Sequence, residues 1–271
     1  MKYNRMTLLL AGLLLLSLIR PAEAELTKTE KVSLFNQANE AFRQANSAKD
    51  PEQAERLYDR AILSFEKIIN EGDVKNSGLY YNLANAYFLS GRLGKAILNY
   101  RRAEELDGSD ENIKKNLAFA RGKRTDKITM KTEKRVLHTL FFWHYDFSIK
   151  TRFILTCVFF GIVCLCVTAV IWFGRNSLWT VPGVICFLLT VCFLGSVLVE
   201  SQMRAGRACG VITAKEVTAR QGDGQNYSPS FKEPLHEGTE FDLLEHRAGW
   251  FHIQLSDDSE GWIPDDSGEI I

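Results

Sequence analysis

Hydrophobic positions along the chain follow three regimes. Between residues 25 and 123, apolar and small residues recur three and four apart, among charged ones. Between 151 and 199 they merge into two runs with one short polar break. From 208 to 271 they come in short clusters interrupted by Gly, Pro and Asp. The first regime predicts amphipathic helices, the second helices of membrane length, and the third short strands. The expected fold class is multidomain: all-α helical repeats, a two-helix transmembrane hairpin and a small all-β module.

Within the first regime, Tyr80, Leu83, Ala84, Tyr87, Ala96 and Tyr100 fall in order on the slots of a tetratricopeptide repeat (TPR). Gly108 stands where that repeat has Pro, and Ala103 fills a further small slot. The small residues let two antiparallel helices approach closely, and the large ones fill the gaps between them. A longer repeat is expected upstream. Leu34–Phe42 (LFNQANEAF) parallels Tyr81–Phe88 (YNLANAYF). Asp50 starts a helix, with Pro51 in its first turn and Gln53 reaching back, that runs to Asn70 and stops at Gly72. Its Ala61, Phe65 and Ile68 repeat the ladder of Ala96, Tyr100 and Ala103. Ser109 is expected to cap a last helix, Glu111–Arg121, whose Leu117 and Phe119 cover the end of the stack. TPRs are binding scaffolds, so the groove is the candidate peptide site. Asn36 with Asn39, and Asn82 with Asn85, are spaced to share a helix face. On the groove they would hydrogen-bond an extended peptide, and Lys115 would add charge. The alternative makes these Asn residues polar surface or inter-helix links.

Residues 1–24 read as a secretory leader. Lys2 and Arg5 precede an apolar core from Met6 to Ile19, and Ala22-Glu23-Ala24 offers a cleavage site before Glu25. An uncleaved anchor is the alternative. The spans are placed at 151–173 and 178–199; Phe153–Phe173 and Leu178–Val199 contain no charged residue. Each matches the roughly 20 residues that a bilayer core requires. Gly174-Arg175-Asn176-Ser177 turns between them, Trp172 and Trp179 flank the turn, and Pro182 falls early in the second span. Phe141, Phe142, Trp143, Tyr145 and Phe147 form an aromatic cluster at headgroup level before the first span. Two spans return the chain to one side, and a cleaved leader makes that side extracytoplasmic. The positive-inside rule opposes this, because Lys150, Arg152, Arg204 and Arg207 lie outside the hairpin and Arg175 within it. The linker 124–150 is basic through Arg124, Lys127, Lys131, Lys134 and Arg135, next to Lys123. It reads as a solvated tether or a contact with anionic lipid.

The tail 208–271 carries Val217-Thr218-Ala219-Arg220, Leu235-His236-Glu237-Gly238-Thr239, Gly249-Trp250-Phe251-His252-Ile253 and Gly261-Trp262-Ile263-Pro264. These segments resemble a bacterial SH3-like (SH3b) domain, with Thr-Ala-Arg where that family has Asn-Val-Arg. Gly238 would turn the chain, and Trp250 and Trp262 would fill a small core. The resemblance implies a small β-barrel that binds peptide, protein or cell wall. The order of leader, TPRs, membrane hairpin and Gly-Trp tail resembles the BatE-type proteins of the Bacteroides aerotolerance operon. That resemblance implies an inner-membrane protein with its modules in the periplasm. It also implies von Willebrand factor A-domain membrane proteins as partners, and a role in oxygen tolerance.

Composition narrows the function classes. The chain has 33 basic and 33 acidic residues and a formal net charge of zero, so no bulk field draws it to nucleic acid. It contains no HExxH, GxSxG, P-loop or Cys-x-x-Cys pattern, so neither an enzyme nor a cofactor is expected. His236, His246 and His252 are scattered over different strands or turns, which disfavours a metal site. Cys157, Cys164, Cys166, Cys186 and Cys192 lie in the spans. Cys209 would be a redox sensor if Arg204 or Arg207 acidified it. A peptidoglycan anchor through the tail is the other alternative.

Overall fold

The structure, a computed structural model, describes residues 26–129, 136, 139–145, 147–206 and 208–271. The expected leader, and Lys131, Lys134, Arg135 and Arg207 of the basic flanks, lie outside the described residues. The chain divides into two compact units, residues 1–74 and 75–271. The division falls inside the expected 25–123 repeat domain.

The first unit holds α1 (Lys28–Ser47) and α2 (Pro51–Asn70). A reciprocal capping pair starts α1: Glu30 N–H donates to Thr27 Oγ1 at 3.3 Å, and Thr27 N–H to Glu30 Oε2 at 2.8 Å. Asp50 caps α2 by accepting from Glu52 N–H at 3.2 Å, with Pro51 in the first turn. The reciprocal pairing expected of Gln53 is thus found at α1 instead. Ala38, Ala41 and Ala45 are buried on α1, and Tyr58, Ala61, Ile62, Phe65 and Ile68 on α2. The edges of Phe35 and Phe42 meet the rings of Phe65 and Tyr58 at centroid distances of 6.2 and 5.9 Å. Tyr58 Oη donates to Asn46 Oδ1 at 2.7 Å.

The second unit begins with α3 (Ser77–Leu89), α4 (Leu93–Leu106) and α5 (Glu111–Arg121). All seven expected seam residues are buried; Ala84, Ala96 and Ala103 have no exposed surface, so the α3 and α4 backbones approach closely. Asp110, not Ser109, caps α5 by accepting from Asn112 N–H at 2.7 Å. Ser109 instead donates its hydroxyl and amide to Asp107, at 2.6 and 3.1 Å. On α5, Leu117 is buried but Phe119 is 59% exposed. Two positions turn a helix by more than half a circle, so both residues cannot cover one surface.

A short helix, α6 (Phe142–Tyr145), leads into α7 (Ile149–Phe173) and α8 (Ser177–Gly206). Phe141, Phe142, Trp143 and Phe147 contact one another at 5.4 to 6.3 Å between centroids. Both long helices are apolar enough to cross a membrane, with mean hydropathies of 2.8 and 2.4, and Leu165, Ile171, Trp172 and Leu178 face outward. Arg152 is not a free flanking charge. It is buried at the mouth of the hairpin, ion-paired with Glu200, and donates to Ser196 Oγ at 2.6 Å. His144 Nδ1 lies 2.7 Å from the same hydroxyl. This pairing offsets the charge that would otherwise oppose burial between apolar helices.

The tail forms β1 (Ala208–Ile212), β2 (Glu216–Val217), β3 (Leu235–His236), β4 (Glu240–Arg247), β5 (Trp250–Gln254), β6 (Glu260–Pro264) and β7 (Gly268–Ile270). One antiparallel sheet has the order β6-β5-β4-β1-β7, and β2 pairs with β3 in a separate ribbon. Beyond β6 the pairing continues only as a bridge, where Arg220 and Trp262 exchange backbone hydrogen bonds of 2.8 and 2.7 Å, so the expected small barrel is met as an antiparallel sheet plus a ribbon. The core contains Ile212, Val217, Leu235, Phe241, Phe251, Ile253 and Ile263. Trp262 is buried, as expected, but on the opposite face from this cluster, and Trp250 is only half-buried. Strand pleating sends Phe251 and Ile253 inward and their neighbours Trp250 and His252 to the other face. Trp262 is covered there by the stacked His252 ring, 4.6 Å away, and by Arg247, 5.1 Å away.

Candidate interaction site

The site is built on α4, whose start is unusual. Arg92 occupies its N-cap position and makes no capping bond, so the first amides of α4 lack a local acceptor. The acceptor comes from the sheet module. Gly94 N–H donates to Glu237 Oε2 at 3.0 Å, placing a carboxylate at the positive end of the helix. The approach is close: a Cβ on Gly94 would lie 2.5 Å from the Ile212 carbonyl oxygen and 3.2 Å from Glu237 Cβ. Gly238, in the turn before β4, has φ +86°, and a Cβ there would lie 2.9 Å from Ile97 Cδ1. Gly238 therefore turns the strand, as expected, and also admits α4.

Charge pairing locks the remainder of this surface. Glu240, whose side chain is 20% exposed, accepts from Arg121 Nε and Nη2 at 2.8 and 2.7 Å. Arg124 Nη1 lies 3.2 Å and Arg101 Nε 3.3 Å from the same carboxylate. Burial raises the Glu240 pKa, but Arg121, Arg101 and Arg124 outweigh it and hold the group below the ordinary range. Farther along, Lys95 pairs with Glu269, and Arg102 Nη2 donates to the Ile270 carbonyl at 2.7 Å.

The basic linker begins as part of this joint rather than as a tether. Asp126 accepts from His236 N–H at 2.7 Å and from Thr239 Oγ1 at 2.6 Å, and Ile128 packs on the sheet core. Burial opposes the charge on Asp126, but the bonds from Thr239 and His236 prevail and lower its pKa.

The expected groove residues divide between the two units. Asn36 and Asn39 belong to the first, where they line an open cleft of about 620 Å³ on α1 with Glu40, Phe42 and Arg43. In the second unit, Asn85 is an inter-helix link. Its Oδ1 accepts from Tyr100 Oη at 2.5 Å and from Asn116 Nδ2 at 3.1 Å, and Asn116 also donates to Tyr81 Oη at 3.0 Å. Burial raises the Tyr100 pKa, so its hydroxyl stays protonated as a donor. Asn82 is half-buried one turn earlier, and Lys115 is exposed on α5. Beyond the Asn85 link, the rings of Phe88 and Phe119 meet at 5.6 Å, and Lys123 Nζ sits 5.2 Å from the Phe119 centroid. The sequence reading missed this aromatic pair as a surface feature, having assigned Phe119 to the end of the stack.

A cleft of about 840 Å³ lies between the α4–α5 connection, the mouth of the membrane hairpin and β1. Its lining mixes cations such as Lys150 and Arg152 with anions such as Asp107 and Glu200. Cys209 lies there too, and its geometry opposes redox sensing. Its thiol is pushed up to about 11 by burial and by Asp242, whose Oδ1 it contacts at 3.3 Å. A thiol so protonated at neutral pH is a poor nucleophile.

Comparison with known proteins agrees with this picture in one segment. Residues 77–110 match the tetratricopeptide repeat family model, which covers α3, α4 and the connection up to Asp110, the cap of α5. No curated protein matches the chain significantly. The chain thus contains a tetratricopeptide repeat, a protein-interaction module, in the unit that also holds two helices of membrane length and an antiparallel sheet.

Proposed function

We propose that the protein is a non-enzymatic, membrane-anchored scaffold that gathers protein partners in a cell-envelope complex. The observation that carries this reading is the repeat at 77–110, fixed by charge and close packing to the sheet module beside two apolar helices. Membrane anchoring raises the effective concentration of partners in the same bilayer, so modest contacts suffice. The sheet region is read as SH3b-like on its Gly-Trp pairs. The module order supports a BatE-type role in oxygen tolerance, with von Willebrand factor A-domain membrane proteins as partners. The leader read in the sequence supports an inner-membrane protein with both modules in the periplasm. Cross-linking and affinity recovery from native membranes tests this reading. Co-recovery of von Willebrand factor A-domain membrane proteins, lost when 77–121 is replaced by an unrelated helical hairpin, is the expected result. Recovery of cell-wall fragments alone would favour the peptidoglycan anchor instead.

A further inference from the structure

The scaffold reading leaves the chemistry of the bound segment open, and the second unit supplies it. In a TPR, the first helix of each pair lines the groove, which here means α3 and α5. Its middle is occupied internally, because Asn85, Asn116, Tyr81 and Tyr100 satisfy one another. One end differs. Phe88 and Phe119 form an aromatic contact at 5.6 Å, yet Phe119 remains 59% exposed. Leu89, next to Phe88 on α3, is 48% exposed as well, and an apolar patch with a polar rim, unlike a lone exposed ring, marks an interaction site.

The rim is cationic. Lys115 lies one turn before Phe119 on the same helix face, and Lys123 sits over its ring at 5.2 Å. Both amines are exposed, and neither has a carboxylate partner among the described residues. The cations of the joint with the sheet are matched by contrast: Arg101, Arg121 and Arg124 to Glu240, and Lys95 to Glu269. Lys115 and Lys123 therefore flank, without ion pairs, the one aromatic of α3 and α5 that is exposed among the described residues.

Resting on the scaffold reading, we infer that this end of the groove binds a partner segment with an apolar anchor residue next to carboxylates. The anchor packs on Phe88 and Phe119, and the carboxylates pair with Lys115 and Lys123. Recognition thus falls to these four residues, while Asn85 holds the helices together.

The test uses the full chain in zwitterionic nanodiscs and a fluorescent peptide, Gly-Ser-Leu-Phe-Asp-Asp-Glu, with anisotropy as the readout. Two control peptides replace Leu-Phe by Ala-Ala, or the three acids by Lys. The acidic apolar peptide should bind best, and binding should weaken as ionic strength rises from about 0.05 to about 0.5 M. Phe119→Ser should weaken binding by about tenfold, in line with loss of a central aromatic anchor. The charge reversal Lys123→Glu should turn the preference toward the Lys peptide, with an unchanged helical spectrum. Equal binding of all three peptides, or no loss in Phe119→Ser, would overturn the inference. So would a dimer in sedimentation that Phe119→Ser dissociates without altering peptide binding, because a second copy would then be the occupant. Failure here with intact partner recovery from membranes would leave the scaffold reading standing; loss of both would remove it.

Discussion

The two helical pairs share one design and differ in where their charges go. In the α1–α2 pair, charges meet neighbours on the same helix: Arg56 with Glu52 at 2.9 Å, Lys67 with Glu71 at 3.6 Å, and Arg43 with Glu40. In α3 to α5 and the residues just after, local pairs such as Arg101 with Glu104 at 2.7 Å occur too, but others reach across more than 100 residues, from Arg121 and Arg124 to Glu240 and from Lys95 to Glu269. Exposed local pairs add little to stability, whereas partly buried pairs become costly when one partner is removed. The first pair is therefore held by its apolar seam, and the second by its seam together with the sheet.

This contrast can be broken most severely at Glu240. Glu240→Ala leaves Arg101, Arg121 and Arg124 without their shared carboxylate, and should destabilise the second unit by about 3–5 kcal/mol. Denaturant unfolding of the full chain in micelles measures it; a loss comparable to a surface pair would refute the lock. The pH dependence follows from the same group. Its folded pKa lies below the unfolded value, so the contribution is complete above the ordinary carboxylate range. It is lost as pH falls through the folded value. Glu240→Gln should flatten that acid-side decline.

The next effect is steric. Alanine in place of glycine normally favours a helix by roughly 0.5–1 kcal/mol. At Gly94, however, the added carbon would lie 2.5 Å from the Ile212 carbonyl. Gly94→Ala should therefore cost about 1–3 kcal/mol. A gain in melting temperature would show that the sheet is not seated there.

These features explain what could be read in the sequence. Helix boundaries and the α3–α4 seam were legible, because Ala84, Ala96, Tyr100 and Ala103 carry a local periodicity. The Glu240 and Glu237 contacts were not, because no local rule links α4 to residues about 140 positions away. One trace was present: Arg92 is a poor N-cap, and an uncapped helix start calls for an acceptor from elsewhere. Trp262 was legible as a buried residue, but Trp250 was not placed correctly, because size suggested core whereas strand alternation assigns it to the opposite face from Phe251 and Ile253. The Asn pairs were legible as one face, but the Tyr100 partner that makes Asn85 a link lies on another helix.

Asn85→Ala should therefore weaken the second unit rather than spare it. Leaving the Tyr100 hydroxyl without its acceptor should cost about 1–3 kcal/mol, read by the same unfolding measurement. An unchanged transition would return Asn85 to the groove as a free side chain. The smallest effect belongs to the first pair. Arg56→Ala removes an exposed i,i+4 contact and should change stability by less than about 0.5 kcal/mol. A larger loss would erase the distinction between local and long-range charges.

The claim that the repeat and the sheet form one locked body is tested most directly at a single amide. Gly94 N–H sits in the first turn of α4, where no helix carbonyl can accept it, and Glu237 Oε2 lies 3.0 Å away. Residue-resolved hydrogen exchange on the full chain should show Gly94 protected, and Glu237→Ala should remove that protection while the amides of the α3–α4 seam stay slow. Rapid Gly94 exchange in the unaltered chain, indifferent to Glu237, would contradict the account.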